Sequence, residues 1–398
     1  LLRPNLAQGT DESLGASLVA IYDRAAPAYL KTVSDMLNGD PVNVLRNIPK
    51  SRWAGIKART DTGDCAAAIM DLMDGAFAAR EAVIRIPNGT FNIHQPIQRL
   101  AGTAPFRLVG DDMMRSIIQR GSDWAPAVGT GSVFNITGVN GHSIENLRIR
   151  GNATLYPVNA NHAIATSNSN NVRYRNLYVE DWKNSGILVF HYPGLPAPTV
   201  AMEINNVIDR CYLVGNTLSN NGVLLVDQEN SYISNTVVIN LGQSGTPQSG
   251  VQFKNNCFRS HINNCVVVNA RHGVAFGQED VVGMAAEQCS VHNVLVKDCV
   301  WGIYMGQAGN SIIDNIDIDM GGVGSHPIEM IDCESNSLTN IKVFGQRTTG
   351  GANAPYSVKL TNACKDNLIE FSQVKIDSAT TPRLAWLSAE STKNDVTV

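Results

Sequence analysis

The chain reads as an all-β solenoid, a right-handed parallel β-helix with an amino-terminal capping helix, and three observations predict it. Between Ser143 and Val374 one short phrase recurs: an apolar residue, usually Asn two places on, then two further apolar residues at alternate positions. SIENLRI, RYRNLYV, VIDRCYL, YISNTVV, HINNCVV, SVHNVLV, IIDNIDI and SLTNIKV carry it. From Asn to Asn, or from Arg210 where Asn is replaced, the steps are 30, 34, 25, 29, 29, 22 and 25 residues. Such a period with strand-type alternation means stacked coils, because one coil cannot bury its apolar face alone. A second apolar strand recurs in each coil, usually just after Gly: SGILVF, NGVLLV, SGVQF, HGVAF and WGIYM, then HPIEMI and YSVKL. Composition is the third observation. Only 17% of residues are charged, and Asn and Gly, which tolerate left-handed backbone, supply the turns.

Residues 1–60 do not share the repeat. SLGASLVAIYD, KTVSDMLNG and PVNVLRNIPKSRWAGIKART are short apolar clusters separated by Pro, Asn and Gly, which reads as a connecting or neck region with an extended connection. The β-helix domain then takes residues 61–398. A bare end coil would expose apolar side chains and unpaired strand groups, so a cap is required, and residues 64–80 supply an amphipathic helix. Asp64 is placed as its N-cap, with Ile69, Met73 and Phe77 on one face. VIRIP and TFNI, on either side of Asn88-Gly89, read as the first strand pair. The coils follow to about Ser388, with two strands per coil fixed by the two markers.

The second strand exposes an alignable stripe. Two places after the Gly, or its equivalent, stand Leu188, Leu224, Gln252, Ala275, Tyr304, Glu329 and Lys359. Immediately before it stand Ser185, Asn221, Ser249, His272 and Trp301, with His326 and Tyr356 at the matching places. Eight cysteines show neither CxxC nor metal-type Cys/His spacing and read as buried, reduced thiols, which fits a chain made in a reducing cytoplasm. A net charge of −4 disfavours nucleic-acid binding, and no run of about 18 apolar residues predicts membrane insertion. No cofactor and no metal is expected. The chain opens on Leu1, which fits a fragment.

GASLVAIYD followed by TVSDMLN, and VNVLRNIPKSRWAGIKARTDTGDCAAAIMDLM leading into VIRIPNGTFNI, resemble the amino-terminal half of many bacteriophage tailspike proteins with a pectate-lyase-like β-helix. The matching pattern covers roughly residues 13–95, and the solenoid behind it matches in architecture only. The resemblance implies a homotrimer in the virion tail, joined to the phage tail through its amino-terminal region. It also implies that a bacterial capsular or O-antigen polysaccharide is bound and depolymerised at the cell surface. Members often run on into a carboxy-terminal trimerisation or chaperone domain, whereas this chain stops soon after its last coil, at AWLSAESTKNDVTV. The family carries no fixed catalytic motif, so the site rests on these residues.

A glycosidase needs two carboxyl groups ~5 to 9.5 Å apart, and a lyase needs a base and a cation beside the abstracted proton. Coils ~4.8 Å apart let equivalent positions one or two coils apart meet either need. The densest polar set lies in ARHGVAFGQED, CVWGIYMGQ and SHPIEMI. Arg271, His272, Glu279, Asp280 and Glu329 are its catalytic candidates; Trp301, Tyr304, Gln252, Lys254 and His326 are its substrate-binding candidates. Trp301 and Tyr304 suit stacking on sugar rings. Against this, Glu279 and Asp280 also read as solvated loop acids, and His272 as a turn partner. Glu180–Asp181 and Asp227 with Glu229 compete as acid pairs, whereas Asp314, Asp317 and Asp319 read as an exposed strand face without EF-hand spacing. The repeated Asn residues read as an internal hydrogen-bonded stack. Hydrolysis is favoured; a non-catalytic glycan-binding fibre and a bacterial pectate-lyase-like lyase are the alternatives. Leu188, Phe190, Leu224 and Val226 form the apolar patch expected to bury in a trimer.

Overall fold

The computed structural model describes residues 20–22, 30–32, 42–74, 82–122, 131–157, 161–190, 203–242, 249–277, 286–321, 326–346, 356–376, 383–387 and 391–398. They form a right-handed parallel β-helix, and each repeating coil contributes to three faces rather than two. The recurring phrase is two short strands, as in Arg173–Arg175 and Tyr178–Glu180, hinged at its Asn. Later coils run through the hinge as one element, as in Ser290–Lys297. The first strand stacks on the first face and the second strand on the second, coil on coil and parallel. The Gly-marked strands form the third face, an eleven-stranded parallel sheet among the described residues, from Ile97–Arg99 to Arg383–Leu387.

The two-strand reading failed for a specific reason: alternation continues across the bend. Asn146, Asn176, Arg210, Asn235, Asn264, Asn293, Asn315 and Asn340 all have φ between 49° and 57°. A single left-handed residue turns the chain by a corner while leaving apolar residues inward on both sides. These Asn side chains do stack: Asn315 Nδ2 donates to Asn293 Oδ1 at 2.6 Å, and Asn340 Nδ2 to Asn315 Oδ1 at 3.1 Å. They stand half-exposed or exposed on the outside, not inside. The internal polar stack lies four residues earlier in the phrase, at Asn206, Ser231, Ser260, Ser311, Asn336 and Asn367, all buried. Asn336 Nδ2, for example, donates to Ala308 O and to Asn367 Oδ1, both at 2.9 Å, satisfying corner carbonyls that water cannot reach.

Inside, each face contributes a ladder of aliphatic side chains, such as Val238, Val267 and Val296 on the second, all fully buried. These set the Gly positions of the third face. A Cβ on Gly250 would lie 2.2 Å from Val267 Cγ1, and one on Gly273 would lie 2.4 Å from Val296 Cγ1. All eight cysteines are free and buried, and burial pushes Cys211 and Cys265 up to about 12, so those two fill space as unreactive thiols.

The amino-terminal end is covered by α1 (Lys50–Ala58) and α2 (Ala66–Asp74). Asp64 Oδ1 accepts from Ala66 N and from His94 N, both at 2.9 Å, so it starts α2 and ties it to the first coil. Ile69, Leu72 and Met73 face the core; Phe77 and the rest of the expected cap lie outside the described residues. Where an extended connection was expected, α1 forms instead, and Val42–Asn43 pairs parallel with Ile84–Arg85. Val44, Leu45, Ile48 and Ile56 join the same core. VIRIP and TFNI do not pair with each other: Ala82–Ile86 stacks on Phe106–Gly110 and Gly89–Ile93 on Ser116–Arg120, because Asn88-Gly89 turns a solenoid corner rather than a hairpin. No helix among the described residues is long and apolar enough to cross a membrane.

Candidate functional site

The third face aligns the outward residues as their sequence spacing indicates. Leu188, Leu224, Gln252, Ala275, Tyr304, Glu329 and Lys359 are consecutive register partners. Ser249, His272, Trp301 and His326 form the neighbouring column. The inward Gly between the two columns lets a residue before it and one two places after it both project outward.

From these columns an aromatic and imidazole cluster is built. The His272 ring stacks on Tyr304 with centroids 4.7 Å apart and planes 8° from parallel, and it meets Trp301 edge-on at 5.1 Å. The Arg271 guanidinium lies 5.0 Å from the Trp301 ring centre, and His326 tilts toward Tyr356 at 6.2 Å. Beside them Glu329 Oε1 is 2.6 Å from Lys359 Nζ, with Glu329 only 7% exposed although it points away from the core. Ala275, Tyr304 and Ile331 make a small apolar cluster separate from the main core.

Burial, with the Arg271 charge adding to it, pushes His272 down to about 3. Burial also lowers His326; Lys359 acts in the same direction and Glu329 opposes it. Both imidazoles are therefore neutral rings at physiological pH. Among the described residues, Trp301 Nε1 and His326 Nδ1 are buried polar atoms that no side chain satisfies, although the Tyr356 backbone bonds the His326 ring, and the two residues are direct register partners.

The structure thus brings Arg271, His272, Trp301, Tyr304, His326 and Glu329 together. Gln252 is buried two coils before Tyr304 and donates to Gly277 O at 3.4 Å, and Lys254 ends the same strand, half-exposed. Glu279 and Asp280 lie outside the described residues. Tyr304 is not an open platform, since one ring face is taken by His272, and one face of Trp301 carries Arg271. Lys359 is the partner that sequence reasoning passed over, although it was legible as the next residue of the stripe after Glu329.

The competing acids have structural occupations. Burial raises Glu180, but hydrogen bonds and charge from Arg148 and Arg150 outweigh it and leave the carboxyl lowered. Asp181 and Asp227 sit at left-handed corners, where they accept from Thr154 N and Asn256 N, and Trp182 is a core residue donating to Asn221 O. Asp314 accepts from Thr339 Oγ1 and Asp317 pairs with Lys342 across coils. Among the described residues no group of three or more His, Cys, Asp or Glu is placed to hold a metal ion.

No family model matches the chain, and no curated protein sequence matches it. Solved structures do. An endo-xylogalacturonan hydrolase from Aspergillus tubingensis is 11% identical, with 85% of this chain and 95% of that chain covered and a TM-score of 0.58. PfbA, a surface adhesin of Streptococcus pneumoniae, is 11% identical over 90% and 93%, with a TM-score of 0.51. The amino-terminal fragment of bacteriophage Phi29 gene product 12 is 16% identical over 88% and 73%, with a TM-score of 0.43. Across these and a GH87 alpha-1,3-glucanase catalytic domain, the chain spans between 64% and 95% of the solved chain's length. The likeness to the hydrolase and the adhesin, both with TM-scores above 0.5, establishes the β-helix fold and no more.

Proposed function

We propose that the chain binds a bacterial surface polysaccharide, capsular or O-antigen, on its third face and depolymerises it by glycosidic hydrolysis, as a phage tailspike does. The reading is carried by Trp301 and His326, register partners beside an aromatic stack and a carboxylate, whose Nε1 and Nδ1 are buried without a side-chain hydrogen-bond partner among the described residues. An unpaired buried polar group costs roughly 1–3 kcal/mol, and a polyhydroxylated ligand, able to donate and accept at neighbouring positions, relieves that cost at either atom that binding opens to it. Rings with polar handles also suit the C–H faces and hydroxyls of sugars.

His272, buried and stacked on Tyr304, is a poor base near neutrality, which counts against it as the base of an elimination. Glu329 is the first carboxyl candidate, and Glu279 and Asp280 are the candidates for the second. Carriage on a virion tail belongs to the same proposal and rests on the resemblance of residues 13–95. A non-catalytic glycan-binding spike is the second reading, favoured by the engagement of Glu329 with Lys359. Calorimetric titration with oligosaccharides from the bound polysaccharide tests the surface itself: Trp301→Ala and His326→Ala are each expected to weaken binding about tenfold or more. Wild-type affinity in both variants would move the site elsewhere.

A further inference from the structure

The first face holds two cations with no counter-charge. Arg173 and Arg175 point outward from one short strand, about 6.6 Å apart along it, with the buried Tyr174 between them. Arg173 is exposed; Arg175 is half-exposed, and its Nε is buried with no hydrogen-bond partner among the described residues. Other arginines on the neighbouring coils are paired, Arg107 with Glu145, Arg148 and Arg150 with Glu180, and Arg210 with Asp209. Arg173 and Arg175 form no ion pair among the described residues, although two carboxylates stand one coil from Arg175, Glu145 before it and Asp209 after it. Both acids are occupied elsewhere. Glu145 accepts from Arg107 Nη2 at 3.0 Å, and Asp209 accepts from Ser234 Oγ and Arg210 Nε at 2.9 Å and from Asn235 Nδ2 at 2.8 Å.

In its own column Arg173 has Ser143 on one side and Val207 on the other, so no opposite charge adjoins it there. Around the Asn corner, Arg148 and Arg150 share the single carboxylate of Glu180, so the second face adds positive charge here rather than cancelling it. On a chain of net charge −4 this end of the first face attracts anions. Two guanidinium forks on one side of a strand fit the oxygens of a carboxylate or phosphate, which takes charge-assisted bonds from both and offers Arg175 Nε the acceptor it lacks. Two coils further along the column, about 10 Å from Arg173, Tyr232 is 44% exposed and stacks on His261 with centroids 4.9 Å apart. His261 is held in turn by Ser290, whose Oγ is 2.7 Å from its Nδ1. An exposed ring fixed beside an anion site suits a sugar that carries, or adjoins, the acidic group.

We infer that Arg173 and Arg175 form a second binding site, on the first face and separate from the third, that takes an oxyanion: the carboxylate or phosphate of an acidic saccharide, or free phosphate. The site stands independently of the proposed hydrolysis. Calorimetric titration of the full chain at low salt, with inorganic phosphate and with trigalacturonate as probes, tests it. Arg173→Gln combined with Arg175→Gln should weaken phosphate binding at least tenfold with far-ultraviolet circular dichroism unchanged, since both side chains point outward. Arg259→Gln, at an exposed corner three coils on, and Trp301→Ala on the third face should each leave phosphate binding unchanged. Tyr232→Ala should weaken trigalacturonate severalfold and spare phosphate, which identifies an acidic saccharide as the source; phosphate binding without trigalacturonate binding identifies the free ion. Binding of neither probe, wild-type phosphate affinity in the double arginine variant, or an equal loss in Arg259→Gln or Trp301→Ala would overturn the inference.

Discussion

A histidine pushed down to about 3 is a flat neutral ring at any physiological pH, and His272 serves the third face in that form, holding Tyr304 by stacking and Trp301 by its edge. His142 and His162 are likewise pushed down by burial, to about 4. All three bind a proton near pH 6.5 when unfolded and not when folded, so the unfolded state holds more protons between the two values and stability rises with pH there. Unfolding free energy should therefore fall as pH drops from about 6.5 toward 4, by up to about 1.4 kcal/mol per pH unit for each histidine, and the melting temperature with it. His272→Gln should melt with a shallower pH slope, whatever its absolute stability; an unchanged slope would mean that the ring is protonated in the fold. At Glu329 the amide keeps size but cannot exchange a proton, so Glu329→Gln should lower depolymerisation by orders of magnitude. The half-exposed Lys359 it leaves unpaired should cost about 1 kcal/mol in melting. Much of this cluster was legible because strand spacing alone aligns the stripe. The ion pair and the burial were not, since alternation says that Glu329 points outward and nothing about what lies against it.

At the scale of one coil, the inward and outward positions follow from alternation, and the corners follow from the chirality of the backbone. Val267 is fully buried between Val238 and Val296, so Val267→Asp should cost several kcal/mol, on the order of 3 or more for an uncompensated buried charge. A soluble variant with unchanged melting would contradict the register. At Asn264, with φ of 53°, Gly should be tolerated, while Asn264→Val should lose roughly 1–2 kcal/mol, read from denaturant midpoints. The Asn repeat was the clearest mark in the sequence, yet its meaning was only half legible. Periodicity locates it, but the left-handed bend that it marks does not interrupt the alternation, so two strands read as one. The buried ladder at Asn206, Ser231 and Asn336 hides for a related reason: Asn and Ser exchange along it, because each supplies an oxygen for the neighbouring coil's backbone.

For the whole molecule, the solenoid was legible because its repeat is nearly one-dimensional, and the cap because Asp64 and the Ile69–Met73 face are local signals. Helix α1 was not, since Pro49 before it and the glycine within it resemble a broken loop. The apolar patch expected on the third face has Leu188, Phe190 and Val226 half-exposed and Leu224 9% exposed, while a longer half-exposed strip lies on the second face. One sheet was read for its outer face and the other only for its core. The claim that the third face cuts a glycan is tested most directly by measuring new reducing ends when the full chain meets a panel of bacterial capsular and O-antigen polysaccharides. Hydrolysis requires reducing ends from at least one of them, no absorbance at the unsaturated-uronate band, and near-complete loss with Glu329→Gln. Absence of reducing ends across a panel that includes a polysaccharide the protein binds, or cutting by Glu329→Gln at the wild-type rate, would contradict it.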